Sequence, residues 1–353
     1  MPLRRLRISR GCFLPQKQRK LVGLQEESGL NPQHLYDLVA PELAEVEVEL
    51  REYCDSSVST ISEIGQYILK GGGKRIRPML LLLTSKMIGE VSPSTIRLAA
   101  VVEFIHNATL VHDDIIDAAD TRRGRPSANS AWGNSMTVLA GDWLYMQSFA
   151  VALRERNLDI LATLIEVTQK MVEGELLQLT LIGKPEATPE ELLDIVERKT
   201  AWLFSGCMKL PGIVAGLDSK PLMRLSEIGK SLGMAFQLVD DLLDLTSTRE
   251  TLGKPVANDL KEGKLTLPVS FVMRNGVGGD AEKVRTVLQE RAFRSVESSD
   301  ILRSVEACDG LRKTRVIAEG YARKAQRMLE EFPPSPYRDA IIHIPEFILN
   351  RSA

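Results

Sequence analysis

Two stretches of the chain carry the same acidic spelling, Asp113-Asp114-Ile115-Ile116-Asp117 and Asp240-Asp241-Leu242-Leu243-Asp244. On a helix, positions i, i+3 and i+4 share a face, so each triplet sets its carboxylates side by side. Acid clusters usually mark a solvated helix face, but both of these are embedded in Leu, Ile and Val. Repelling acids in that setting call for a cation. Mg²⁺ takes oxygen ligands at about 2.0–2.1 Å and is usually held by one or two carboxylates plus phosphate oxygens. Two facing walls of Asp with a diphosphate between them suit that demand. Histidine is scarce (His34, His106, His112, His343), which argues against zinc or iron chemistry.

A metal–phosphate site also requires fixed positive charge, and the chain supplies it near its breaks. Gly71-Gly72-Gly73-Lys74-Arg75-Ile76-Arg77-Pro78 places three cations on a glycine turn. The GxxxxGK[ST] spacing of a nucleotide-binding loop is absent, and alone such a turn is more often just a basic loop. Arg122-Arg123 follows Asp117 closely, and guanidinium forks suit bidentate phosphate contacts. His106 precedes Asp113 by seven residues, two turns along the same face; a lone histidine there is as often a satisfied core residue. Gln237 lies one turn before Asp241, Lys199-Thr200 interrupts the apolar segment Leu192 to Phe204, and Lys254 follows the second cluster.

The elements that must position these groups read as helices. Apolar residues recur at helical spacing from Leu35 to Val58, through Ile61, Ile64 and Ile68, and from Pro78 to Met87. Ser92-Pro93 then opens the long segment that ends in the first acid cluster. Further patterns span 135–156, 158–182, 189–208, 221–246, 264–275, 281–292, 298–308 and 310–331, separated by Gly and Pro clusters. No alternating pattern of useful length and no repeat appears. The expected fold is all-α, a single-domain bundle of ten or more helices, over residues 31–353. The polar stretch Thr246 to Gly263, leaving the second acid cluster, is expected to act as a lid.

Length and composition agree with one ordinary globular domain. The chain has 353 residues, a net charge of −2 and 26% charged residues, so there is no electrostatic footprint for nucleic acid. Cys12, Cys54, Cys207 and Cys308 lie far apart, which points to a reducing compartment, and a cytoplasmic location is expected. No apolar run is long enough to cross a bilayer. Residues 1–30 read as a basic extension outside the fold: residues 1–24 hold seven Lys or Arg and no acid. A transit peptide, a disordered tail and a start codon placed too early all stay open.

The ordered set GGGKRIRP, EFIHNATLVHDDIID, TRRGRPS, AGDWL, ERKTAWLFS, FQLVDDLLDLTS and LGKPVANDLKEGKLTLP resembles the trans-isoprenyl diphosphate synthases. The likeness is strongest to the octaprenyl- and solanesyl-type, long-chain branch. It runs from about residue 31 to the C-terminus; the whole set is specific, whereas any one motif is weak. It implies a helical bundle around a deep cavity and Mg²⁺-dependent transfer of prenyl groups. Asp113, Asp117, Asp240 and Asp244 would hold the metal, with Asp114 and Asp241 completing the two triplets. Arg122, Lys199, Thr200, Gln237 and Lys254 match positions that contact the allylic diphosphate. Lys74, Arg77, His106 and Arg123 match those that bind isopentenyl diphosphate.

Product length becomes a matter of cavity depth. Ala108 and Thr109, five and four residues before Asp113, are small where short-chain members commonly carry an aromatic. A hexaprenyl to decaprenyl product is therefore expected, with a quinone side chain as its usual fate; geranylgeranyl diphosphate is the shorter alternative. A terpene cyclase would carry a different second metal motif, and a non-catalytic subunit would lose an acid cluster. The family implies a homodimer, for which the apolar faces around Val138–Ala152 would serve, and peripheral membrane association for product release. Two features depart from the pattern: the basic extension, and Pro345 in a terminus where related chains run on as helix.

Overall fold

The glycine and proline breaks become the corners of a helical bundle. The computed structural model describes residues 32–247 and 257–349. Short helices α1 (Pro32–Asp37), α2 (Ala40–Tyr53) and α3 (Ser59–Lys70) lead into the buried α4 (Ile76–Ile88) and α5 (Pro93–Ile116). A two-residue hairpin, β1 (Thr121–Arg122) with β2 (Arg125–Pro126), and α6 (Ala128–Trp132) join α5 to α7 (Asn134–Leu153) and α8 (Leu158–Leu181). The chain then runs through α9 (Pro189–Val196), a π-helical turn (Glu197–Ala201), α10 (Trp202–Val214) and α11 (Ser219–Thr246). The remaining elements are α12 (Asn258–Lys261), α13 (Leu267–Asn275), α14 (Asp280–Glu290), α15 (Ser298–Ala307), α16 (Gly310–Leu329) and α17 (Pro336–Leu349). The all-α expectation holds.

The core sits where α4, α5, α10 and α11 cross. Leu80 to Leu83 of α4, Leu98 to Val102 of α5 and Leu203, Phe204 and Leu210 of α10 are all but inaccessible to solvent. Helices buried on several faces are the ones a core is built around. α5 starts on a capping box: the Ser92 hydroxyl accepts from the Thr95 amide, and the Thr95 hydroxyl accepts from the Ser92 amide. Gly233 lets α11 approach the π turn and the start of α10, since a β-carbon there would stand 2.5 Å from the Cα of Ala201 and 3.1 Å from the Cβ of Phe204. That crossing sets the depth at which α11 presents its acids.

Two details differ from the periodicity. The helix after Pro189 runs on to Val214 through Pro211, but its axis is interrupted by the π turn at Lys199-Thr200. Such turns add a residue and re-aim side chains. α17 continues through Pro345, because Ala340, Ile341, Ile344 and Ile348 bury one face against the bundle. Burial there outweighs the lost amide hydrogen bond.

On the outside, α7 exposes Leu139, Met146 and Leu153, and α8 exposes Leu158, Ile165 and Val172 with Leu176. The seven-residue spacing draws two apolar stripes along neighbouring helices. No helix among the described residues is long and apolar enough to cross a membrane.

Candidate active site

Both acid clusters occupy the last turns of long helices, α5 and α11. A helix C-terminus already carries about half a negative charge, so acids there deepen a well for cations. α5 ends at Ile116, with Asp117 as its cap. The guanidinium Nε of Arg122 donates to Asp114 Oδ1 and Oδ2 at 2.7 and 2.6 Å. Lys264 Nζ donates to Asp117 Oδ1 at 2.9 Å and to Glu262 Oε2 at 2.8 Å. Lys199 Nζ stands 3.9 Å from Asp113 Oδ2, donates to Gln178 Oε1 at 2.8 Å and pairs with Glu175.

The second cluster is met mainly by amides. Thr200 Oγ1 donates to Gln237 Oε1 at 2.9 Å, and Gln237 Nε2 donates to Asp241 Oδ1 at 3.0 Å. The two oxygens of Asp244 accept the backbone N–H groups of Asn258 and Asp259, both at 3.2 Å. Burial pushes the Asp113 carboxyl up to about 6. Burial and the neighbouring Asp259 push Asp244 up to about 7. Asp241 is driven well above the carboxylate range by burial and by the charges of Asp259, Asp240 and Asp244. These are groups whose charged form lacks a counterion of sufficient strength.

Gly174 of α8 and the π turn explain how Lys199 arrives. A β-carbon at 174 would lie 2.7 Å from the backbone nitrogen of Lys199. The close crossing sets Lys199 between the two clusters and turns Thr200 toward α11. Lys199, Thr200, Gln237, Asp241, Asp259 and Lys264 then share one cavity of about 160 Å³.

The basic residues gather beside α5. Arg77 lays its guanidinium 5.1 Å from the Phe204 ring centroid, and Phe204 packs on Phe236 at 5.3 Å. Burial lowers the Arg77 pKa, and its Nε is buried without a hydrogen-bond partner. Burial and the charges of Arg77, Arg123, Arg122 and Arg75 hold His106 well below the usual histidine range, so it is neutral at pH 7. Arg75, between Lys74 and Arg77, is spent on structure: its Nε donates to Glu47 and its Nη1 to the buried Glu103, each at 2.6 Å. A β-carbon on Gly73 would stand 3.2 Å from Nη1 of Arg123, so the glycine turn and the hairpin tip meet.

Of the residues singled out by sequence, Asp240 lies where its charge acts on Arg77. Ala108 is fully buried in the core, and the Thr109 hydroxyl turns back to the His106 carbonyl at 2.8 Å. Lys254 and half of the lid stretch, residues 248–256, fall outside the described residues. Lys264, Glu175 and Gln178 carry no signal of their own in the sequence, and Asp259 stands there only as part of the polar lid stretch. Lys264 stood inside a quoted motif, but nothing in its spacing announces that it reaches Asp117, 147 residues away.

The polyprenyl synthetase family model matches residues 58–304. The chain belongs to the polyprenyl synthetase family. It is a prenyltransferase, a trans-prenyl diphosphate synthase of the long-chain type. It is 38% identical to the octaprenyl diphosphate synthase of Escherichia coli (strain K12) over 322 residues, 91% of this chain and 99% of that one. Among solved structures it resembles a decaprenyl diphosphate synthase from Rhodobacter capsulatus, with a TM-score of 0.85 and 33% identity over 90% of this chain and 98% of that chain. A polyprenyl synthase from Caulobacter crescentus CB15, complexed with calcium and isoprenyl diphosphate, gives 0.86 at 31% identity over 91% and 98%.

The oxygen-only donor set of this polyprenyl synthetase fits a hard cation. Among the described residues no group of three or more His, Cys, Asp or Glu side chains stands ready to enclose a metal ion.

Proposed function

We propose that this chain condenses isopentenyl diphosphate with an allylic diphosphate, repeatedly and with Mg²⁺, into an all-trans product of hexaprenyl to decaprenyl length. The carrying observation is the convergence of Lys199, Thr200, Gln237, Asp241 and Lys264 on one cavity beside two acidic helix ends. Asp113, Asp117, Asp240 and Asp244 would hold Mg²⁺, which when bound stabilises charge on diphosphate oxygens. Lys199 and Lys264, with Arg122, Thr200 and Gln237, clamp the allylic diphosphate and stabilise the charge that grows as its C–O bond breaks. Lys254 is assigned to the same clamp from its motif.

Lys74, Arg77, His106 and Arg123 hold isopentenyl diphosphate so that its double bond faces the allylic carbon. The new C–C bond forms, and a proton then leaves the condensed cation for the departed diphosphate. The apolar faces of α5, α10 and α11 exclude water that would otherwise capture the cation. Ala108 and Thr109 support a long product because neither side chain is bulky enough to end the growing chain near the acids.

The apolar stripes of α7 and α8 favour a homodimer, which sedimentation at micromolar concentration tests; a monomer would sink it. The activity is tested by incubating the protein with isopentenyl and farnesyl diphosphates plus Mg²⁺ and sizing the product. One elongated product class of 30 to 50 carbons is expected. No consumption of isopentenyl diphosphate would remove the reading.

A further inference from the structure

The hairpin that carries Arg122 and Arg123 is tied down at two places. At its base, Ser127 Oγ donates to the Ala119 carbonyl at 2.6 Å, and the Ser127 amide donates to the Asp120 carbonyl at 3.0 Å. Along its second strand, from Pro126 to Arg125 beside the tip, the contact is with α3. Tyr67 Oη donates to the Pro126 carbonyl at 2.9 Å, and Arg125 lays its guanidinium 4.2 Å from the centroid of the Tyr67 ring. Trp132 meets the same ring edge-on at 4.8 Å between centroids.

Tyr67 belongs to the last turn of α3, one turn before Gly71-Gly72-Gly73-Lys74. The residues it clamps, Pro126 and Arg125, belong to the hairpin that carries Arg123, the other half of the basic pocket. Arg122 pairs with Arg125 across the hairpin, and between them Arg123 (φ 54) and Gly124 (φ 74) form its two-residue turn. A left-handed arginine at a hairpin tip is held there by surrounding structure rather than by its own preference. The tip brings Arg123 against Gly73. Nothing in the chemistry of diphosphate binding requires Tyr67, Arg125 or Trp132 to touch a substrate.

We infer that Tyr67 is a positioning residue for isopentenyl diphosphate, a latch that keeps the Arg122–Arg125 hairpin seated on the glycine turn. With the latch closed, Lys74 and Arg123, 49 positions apart in sequence, form one phosphate cradle. With it open, Arg123 swings with the hairpin tip, while Asp114 holds Arg122 and the rest of the allylic clamp, Lys199 and Thr200 on the π turn, Gln237 on α11 and Lys264, stays in place. The inference rests on assigning Lys74, Arg77, His106 and Arg123 to isopentenyl diphosphate.

The test is steady-state kinetics of the full chain with Mg²⁺, varying each substrate at saturating levels of the other. Tyr67→Ala, which loses both the hydrogen bond and the ring–guanidinium contact, is expected to raise the KM for isopentenyl diphosphate by about tenfold. Its kcat and its KM for farnesyl diphosphate should stay within about twofold of the parent. Tyr67→Phe keeps the ring beneath Arg125 and should recover most of the loss, leaving an increase of about two- to threefold. Should Tyr67→Ala fold poorly by circular dichroism, Tyr67→Phe paired with Arg125→Ala carries the same comparison. An unchanged isopentenyl KM in the Tyr67 variants, or an equal rise for both substrates, overturns the latch. Arg123→Ala separates the two levels of the argument. If it raises the isopentenyl KM while the Tyr67 variants do not, the pocket stands and the latch falls; if it has no effect, the pocket assignment itself is wrong.

Discussion

Asp114 and Asp241 hold the same place in the same spelling, and both are buried, at 4% and 6% exposure. Their neutralisation is opposite. Asp114 receives Nε of Arg122 on both oxygens. Asp241 receives the amide of Gln237 and stands among Asp240, Asp244 and Asp259. A local pattern therefore delivers a buried acid twice, but the surroundings turn one into half of an ion pair and leave the other charge-starved. In the first cluster Arg122 pairs Asp114 and Lys264 pairs Asp117, and only Asp113, with Lys199 at 3.9 Å, shares the shortage of the second. The second is the one that gains most from an arriving cation.

The most severe way to probe the comparison is to remove an outer acid from either side. On the proposed reading, in which both acid clusters act through Mg²⁺ on the same diphosphate, Asp113→Asn and Asp244→Asn should each lower kcat by about a thousandfold or more at saturating Mg²⁺. A loss confined to one side would show that only that helix end serves catalysis.

The middle acids should then separate in stability. Asp114→Asn leaves Arg122, a third exposed, without its counter-charge and should destabilise the fold by about 1–2 kcal/mol. Asp241→Asn keeps an acceptor for Gln237 while removing a crowded charge, and should be neutral or stabilising by about 1 kcal/mol at pH 8 in EDTA. Urea denaturation of both variants gives the answer; equal losses would erase the distinction drawn above.

The same asymmetry predicts a pH dependence. Asp113, Asp241 and Asp244 hold protons at higher pH in the folded chain than in the unfolded one, where Asp titrates near ~3.9. Between about pH 4 and 7 these three acids bind more protons in the folded state, so their contribution to metal-free stability falls as pH rises through that window, while His106, held neutral by burial, contributes with the opposite sign up to about pH 6.5. Asp241→Asn should flatten the slope, and added Mg²⁺ should restore the lost stability at pH 8, both read from thermal melts. An Asp241→Asn chain whose stability has the same pH slope as the parent's would contradict the assignment.

The smallest expected effect on rate concerns the first cluster's helix alone. Ala108→Phe fills space one turn before the acids and should shorten the product while turnover falls only a few fold. Placing an aromatic in a packed position costs about 1–3 kcal/mol, so the variant should be assayed below its melting range. An unchanged chain length would remove Ala108 from the determinants of size.

Helical periodicity was legible because it is local: the spans at 158–182, 221–246 and 310–331 lie within a few residues of α8, α11 and α16. The acids were legible for the same reason, since their spacing and their apolar neighbours are adjacent in the chain. The π turn at Lys199 was not, because it follows from Gly174 of α8 pressing on that backbone from another helix. Pro345 misled for a related reason, since its helix is sustained by burial rather than by local propensity.

By itself, then, the sequence determined the helical class, the two acid triplets and the motif order that marks the family. Each rests on residues whose chemistry and spacing act within a turn or two. Only the tertiary structure decided which charges meet. Lys264 reaches back to Asp117, Arg75 is consumed by Glu47 and Glu103 while Arg77 stays among aromatics, and Tyr67 holds a hairpin that begins 54 positions later. Long side chains of one charge look alike in a linear text. What distinguishes a phosphate ligand from a structural ion pair is the partner that folding brings to it.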